Sequence, residues 1–283
     1  MKYFLCPLVI LLVLSCAQQR TVQRDIELYD VRGKVRELSL YHYSAVEENG
    51  DIVRGEPNAE QVGEQDQTIT FNKKGNAVEV YFHGETDSLD HRVVRHFNDR
   101  DLCAGETYYD AGGNISDLWV WKYDADGNNT ERCRMQADST FKTYHFLYYD
   151  NDHHPVARKS LWFDSNLFDS LRWELDTRGR RIRETHYGYY GLRGINEISY
   201  EGNSDRISAV RRYDEIRELT DIIALTYDEK GNLTELRRLR PDSTLLNTVR
   251  YDHELDERGN WVTRIEFMDG APVNYYEREI IYY

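Results

Sequence analysis

The chain has 283 residues, 40% hydrophobic and 30% charged, an ordinary share for a folded domain that excludes wholesale disorder. Fifty acidic against 36 basic residues leave a formal charge of −14, which repels phosphate backbones and anionic lipid surfaces and so argues against nucleic-acid or polybasic membrane binding. Twenty-two Tyr stand against nine Phe and five Trp, a bias toward amphipathic rings suited to half-exposed sheet faces.

Residues 1–15 begin Met1-Lys2, continue as an apolar run from Tyr3 to Leu14 broken by Pro7, and end on Ser15, the pattern of a signal peptide. The run is shorter than the roughly 20 apolar residues that a membrane helix needs, and no second such run follows. Val13-Leu14-Ser15-Cys16 resembles the bacterial lipobox, in which the cysteine is lipidated and becomes the mature N-terminus. The resemblance implies a membrane anchor at Cys16, and Ala17 after it is similar to lipoproteins passed on to the outer membrane, on either its periplasmic or its surface side. Acyl chains on one cysteine hold a water-soluble domain to a membrane through burial of CH₂ groups. Residues 16–28 are expected to form an N-terminal tether.

From residue 29 to 283 one pattern recurs: an aromatic residue or Leu followed by Asp, Asn or Glu. After a first copy at Tyr29, starts fall at Phe71, Phe97, Tyr123, Tyr149, Leu175, Tyr200, Tyr227 and Leu255, at intervals of 26, 26, 26, 26, 25, 27 and 28 residues. The best copies read Tyr123-Asp-Ala-Asp-Gly-Asn128 and Tyr227-Asp-Glu-Lys-Gly-Asn232. This is hairpin-turn chemistry: Asp or Asn caps the turn and Gly takes the left-handed conformation. Second turn signals fall midway, as at Asp138-Ser-Thr140, Asp242-Ser-Thr244 and Met268-Asp-Gly-Ala271, so each unit is two strands. The expected fold is all-β: about nine hairpin units of ~26 residues, 17 or 18 antiparallel strands, forming a long, curled or solenoid-like sheet. Residues 44–67, rich in Glu, Gly, Asn and Gln, read as an inserted loop. Units starting at Phe97, Tyr149 and Tyr200 lack Gly at the fifth position.

The Tyr-Asp-x-x-Gly-Asn turns resemble the YD repeats of the Rhs family, and the whole resembles bacterial envelope lipoproteins built from such units. The resemblance implies hairpins wound into a sheet and brings no catalytic residues.

Trp119-Val-Trp121-Lys-Tyr123 places three rings on one sheet face by alternation, and Tyr187 with Tyr189 forms a similar pair. These five are candidate ligand-binding residues, set against ordinary cross-strand packing. Ser88, Ser139, Ser170 and Ser243 each follow Asp and precede Leu or Thr, similar to an O-glycosylation sequon of some envelope bacteria, although Asp-Ser is also common turn chemistry. Asp124-Ala-Asp126-Gly-Asn128 lacks the Gly and Glu spacing of a calcium loop, and His153-His154 point apart on a strand, so no metal or cofactor is implied. Cys103 and Cys133 occupy strands two apart, roughly 9.5 Å, beyond disulfide reach.

No zinc-protease, serine-hydrolase, phosphate-loop or Cys-x-x-Cys motif is present, so no catalytic residue is assigned. The reading is a non-enzymatic, lipid-anchored envelope protein whose repeat surface binds a protein or glycan partner. Two alternatives stand beside it: a carbohydrate-active enzyme using paired carboxylates, and a toxin- or immunity-associated Rhs-like factor.

Overall fold

Most of the repeats begin with a capped turn. Asp228 Oδ1 accepts the backbone N–H of Lys230 at 2.9 Å and of Asn232 at 2.8 Å, while Gly231 takes φ +95°. The same geometry recurs with Asn72, Asn98, Asp150, Asp176, Asp214 and Asp256 as cap. Units lacking the glycine keep the conformation: Asp101 and His153 sit at φ 62° and 64°. The Tyr200 unit has a longer turn, through Gly202 at φ 51°.

The computed structural model describes residues 25–58, 66–84, 88–138, 142–162 and 166–283. The signal peptide and Cys16 lie outside the described residues. A helix α1 (Asp25–Leu28) precedes β1 (Val35–Glu48), β2 (Asp51–Pro57), β3 (Gln67–Phe71), β4 (Ala77–His83), β5 (Leu89–Phe97), β6 (Cys103–Asp110), β7 (Ile115–Tyr123), β8 (Asn129–Gln136) and β9 (Lys142–Tyr149). Then follow β10 (Pro155–Trp162), β11 (Leu167–Leu175), β12 (Arg181–Gly188), β13 (Gly191–Tyr200), β14 (Ile207–Tyr213), β15 (Leu219–Tyr227), β16 (Leu233–Leu239), β17 (Leu245–Leu255), β18 (Trp261–Met268) and β19 (Ala271–Tyr282).

The strands form a closed barrel, which corrects the expected long, curled or solenoid-like sheet. From β3 to β19 each strand pairs antiparallel with the next, and β1 joins the two ends. Leu38 faces Ile280 of β19 on one side and Ile69 of β3 on the other. The ring therefore holds eighteen strands, β1 and β3 to β19, with β2 paired only to the distal part of β1. Closure removes the two edges that an open sheet would expose. A one-residue register slip beside turn after turn, as between Lys122 and Tyr123 and between Thr226 and Tyr227, adds the twist and bend that curl the sheet.

The inserted segment 44–67 is also corrected: residues 44–48 continue β1 and residues 51–57 form β2, a hairpin rather than a loop, while residues 59–65 lie outside the described residues. Asn49-Gly50, both at positive φ, form the tight turn that explains the hairpin. The tether is structured at its end. Asp25 accepts the Ala77 N–H at 2.9 Å, and Arg278 donates to the Tyr29 carbonyl at 3.2 Å. Tyr29 meets the Phe71 ring edge-on at 5.7 Å, beside a buried cluster of Val31, Val35, Leu38, Ile69, Val80 and Val93.

Register fixes the faces. Trp119 lies opposite Glu106 and Glu106 opposite Arg95, so these share the face of Val93, Val80, Ile69 and Leu38. This face is the concave one: Trp119 and His145 lie two strands apart, roughly 9.5 Å of backbone, yet their rings stand 5.6 Å from each other. The outer face carries Lys122 paired with Glu131 at 2.8 Å, Arg54 with Glu277 at 2.8 Å, and Arg92, Arg172 and Arg250 lying over Tyr109, Tyr187 and Phe267. Each Arg or Lys at a bilayer midplane costs about 2–4 kcal/mol, so this outer face suits water rather than hydrocarbon.

Candidate functional site

The 26-residue period places like side chains in like positions, and four consecutive units line one interior cavity of about 360 Å³. Trp119, His145 and Leu171 are one repeat position; Leu147 and Trp173 are a second; Arg132, Arg158 and Glu184 are a third; Arg181 completes the wall.

Hydrogen bonds hold these groups. Arg158 donates to Asp169 at 2.6 Å, and its Nε is buried with no partner. Arg132 Nε donates to Asn129 Oδ1 at 2.7 Å while its guanidinium lies 4.3 Å from the Trp121 ring. Arg181 lies 4.2 Å over Trp173, whose Nε1 donates to Glu184 at 2.9 Å. His145 Nδ1 shares a 2.8 Å hydrogen bond with the fully buried Ser160 hydroxyl. Burial, then the Arg158 and Arg132 charges, push His145 below its ordinary range. Burial works to raise Glu184, but hydrogen bonds from His186 and Trp173 outweigh it and hold the carboxyl low. Three guanidiniums against one lining carboxylate make the cavity cationic within an acidic protein. It can stack a ring and pair an anion.

The expected aromatic shelf is divided. Trp119 lines the cavity, Trp121 supports Arg132 beneath it, and Tyr123 is tied by its hydroxyl to the Cys103 carbonyl at 2.7 Å. Tyr187 faces Ser170 on the outer side under Arg172, so it does not join them. Tyr189 packs edge-on against Tyr190 at an exposed turn. The cationic residues, His145, Trp173 and Glu184 were missed, although stepping 26 residues from Trp119 and Trp121 reaches His145, Leu147, Leu171 and Trp173.

Ser88 is exposed at a turn, Ser243 is exposed at φ 68°, and Ser170 is half-buried within β11; Ser139 lies outside the described residues. Cys103 and Cys133 are free, with β7 between their strands, and burial pushes the Cys103 thiol up to about 11. Asp150, Asp152 and His154 bring potential ligand atoms within 4.8 Å, but Asp150 is already the cap of its turn.

The two rims differ. The turns that start the repeats line one, tied by arginines such as Arg100 and Arg206 to the carbonyls of Asp124 and Asp228 in the next turn. The opposite rim exposes Leu89, Ile115, Leu167, Tyr190, Ile216 and Leu245.

No protein-family model and no curated protein matches the chain. Among solved structures, a porin-like protein from Bacteroides uniformis is similar over 87% of this chain and 96% of its own, at 12% identity and TM-score 0.45. A porin-like protein from Bacteroides vulgatus matches 88% of this chain and 99% of its own at 8% identity and TM-score 0.22. A TcdB2–TccC3–Cdc42 complex matches 75% of this chain and 19% of its own at 8% identity and TM-score 0.19.

Proposed function

We propose that this chain is a non-enzymatic envelope protein of the YD-repeat type, anchored by lipid at Cys16 to the bacterial outer membrane, whose barrel stands in water and binds a glycan inside. The interior cavity of about 360 Å³, with Trp119 and Trp173 in its wall, carries the reading. Its size falls within the roughly 300–1,000 Å³ of small-ligand sites. The charged outer face supports an aqueous barrel held by an anchor rather than one embedded in lipid. Saturable stabilisation of the protein by oligosaccharides, lost in Trp119→Ala, tests the binding; release of Cys16→Ser from the membrane fraction tests the anchor. Stabilisation by no oligosaccharide would reject the glycan reading.

A protein partner is favoured by a separate observation, the apolar rim. Leu89, Ile115, Leu167, Tyr190, Ile216 and Leu245 stand exposed around one mouth, beside Asp110, Asp242 and Asp269. Such a ring fits an apolar protein surface with basic flanks. Crosslinking from Tyr190 in intact cells, compared with an outer-face position such as Lys122, tests it.

A further inference from the structure

We infer that the interior cavity takes an acidic oligosaccharide, pyranose rings bearing carboxylate or sulfate groups, with Arg132, Arg158 and Arg181 as the residues that select the charge. The inference rests on the glycan reading above and names its ligand class.

Three observations converge. The first is periodic: Arg132 and Arg158 are the same repeat position in consecutive units, two strands and therefore roughly 9.5 Å of backbone apart. An extended ligand with anionic groups on successive rings meets such a row better than a single small anion does.

The second is the state of the guanidiniums. Among the described residues Arg158 donates to Asp169 and leaves its Nε buried without a partner, an arrangement that costs free energy unless a ligand or water completes it. Arg181 is held by stacking on Trp173 near Glu184, and Glu184 is already engaged by Trp173 and His186. The donors are oriented but not spent, and planar guanidinium pairs carboxylate or sulfate with two parallel hydrogen bonds.

The third is the mixture in the wall. Trp119, Leu147 and Leu171 offer apolar surface to the C–H face of a sugar, and His145 and Glu184 offer neutral-donor and acceptor groups to ring hydroxyls. His145 stands in the same wall, lowered first by burial and then by the Arg158 and Arg132 charges. The chain as a whole is acidic, so the three guanidiniums of this wall stand against its net charge.

The test is titration calorimetry of the full chain with four probes: carboxylated oligogalacturonides of two to four residues, sulfated galacto-oligosaccharides, neutral galacto-oligosaccharides of equal length, and indole-3-acetate. The expected result is binding of the carboxylated or sulfated oligomer at least tenfold tighter than the neutral one. Preference between those two identifies the acid group. Arg132→Gln and Arg181→Gln, each checked for unchanged thermal midpoint, are expected to lose that advantage while neutral-oligomer binding persists. Equal affinity for acidic and neutral oligomers overturns the charge assignment but leaves the glycan reading in place. Binding of indole-3-acetate without any oligosaccharide overturns both. If the arginine variants shift their midpoints, Arg181→Lys, which keeps charge but not the planar fork, must weaken the carboxylated probe selectively; unchanged affinity there rejects the paired recognition.

Discussion

Tyr123 donates its hydroxyl to the carbonyl of Cys103 at 2.7 Å, twenty residues back in the chain and across one strand pair. Tyr149 does the same to Asn129 at 2.9 Å and Tyr227 to Ile207 at 3.0 Å, so the tyrosine of the repeat is a rung between neighbouring turns. This gives the Tyr-over-Phe bias of the chain a structural cause. Replacing Tyr227 by Phe keeps the ring and removes one hydrogen bond, for an expected loss of about 0.5–1.5 kcal/mol in urea unfolding. The same substitution at the exposed Tyr190, which holds no such rung, is expected to change stability by less than about 0.5 kcal/mol.

The left-handed position of the turn makes a paired prediction. Arg217 occupies it at φ 67° with an exposed side chain, and Gly231 occupies it at φ +95°. A non-glycine residue there costs roughly 1–2 kcal/mol, partly offset by the smaller unfolded-state entropy relative to glycine. Arg217→Gly is therefore expected to stabilise by up to about 1 kcal/mol and Gly231→Ala to destabilise by about 1 kcal/mol or more. Opposite signs in denaturant midpoints check the assignment.

The turns and hairpins were legible because their causes are local: an Asp cap and a glycine four residues after the aromatic specify the bend wherever they occur. Even Asp101 and His153, which break the motif, adopt its conformation because their neighbours enforce it. Closure was not legible. It depends on β1 meeting β3 on one side and β19 on the other, a contact between residues more than 200 positions apart that no local pattern encodes. The candidate site was half legible. Alternation placed Trp119 and Trp121 on one face, but curvature brought His145 to Trp119 and grouped four units around one cavity. Tyr187 could not be assigned to the other face without the strand register.

Closure itself is testable at Leu38, which is fully buried between Ile280 and Ile69 where the two ends of the ring meet. Leu38→Ala removes packing from both seams and is expected to cost roughly 2–5 kcal/mol. Leu245→Ala, at a residue 53% exposed, is the matched control, expected to change stability by less than about 0.5 kcal/mol. Similar urea midpoints for the two variants would contradict a seam at β1.

Stability should fall at both ends of the pH scale for separate reasons. Burial works to raise Asp124 and Asp228, but bonds from Asn128 and Asn232 and from turn N–H groups outweigh it, so both sit below the ordinary 3.8. A carboxyl lowered on folding contributes stability that is present above about 3.8 and is lost as pH falls through the folded value. Burial raises Tyr29 and Tyr227 above 10.0, so their contribution is complete below pH 10 and is lost as pH rises beyond it. Thermal midpoints are expected to be flat only from about pH 7 to 9, because the lowered His145 costs stability as pH falls below 6.5 and the raised Cys103 as pH rises above 9.0. Asn72 and Asn98 already serve as caps in this chain, so the double variant Asp124→Asn, Asp228→Asn keeps its turns and loses two titrations. It is expected to be less stable than the parent near pH 7, where the two carboxylates contribute, and to converge on it below pH 4. An acid profile identical to the parent's would assign the acid limit to other carboxyls.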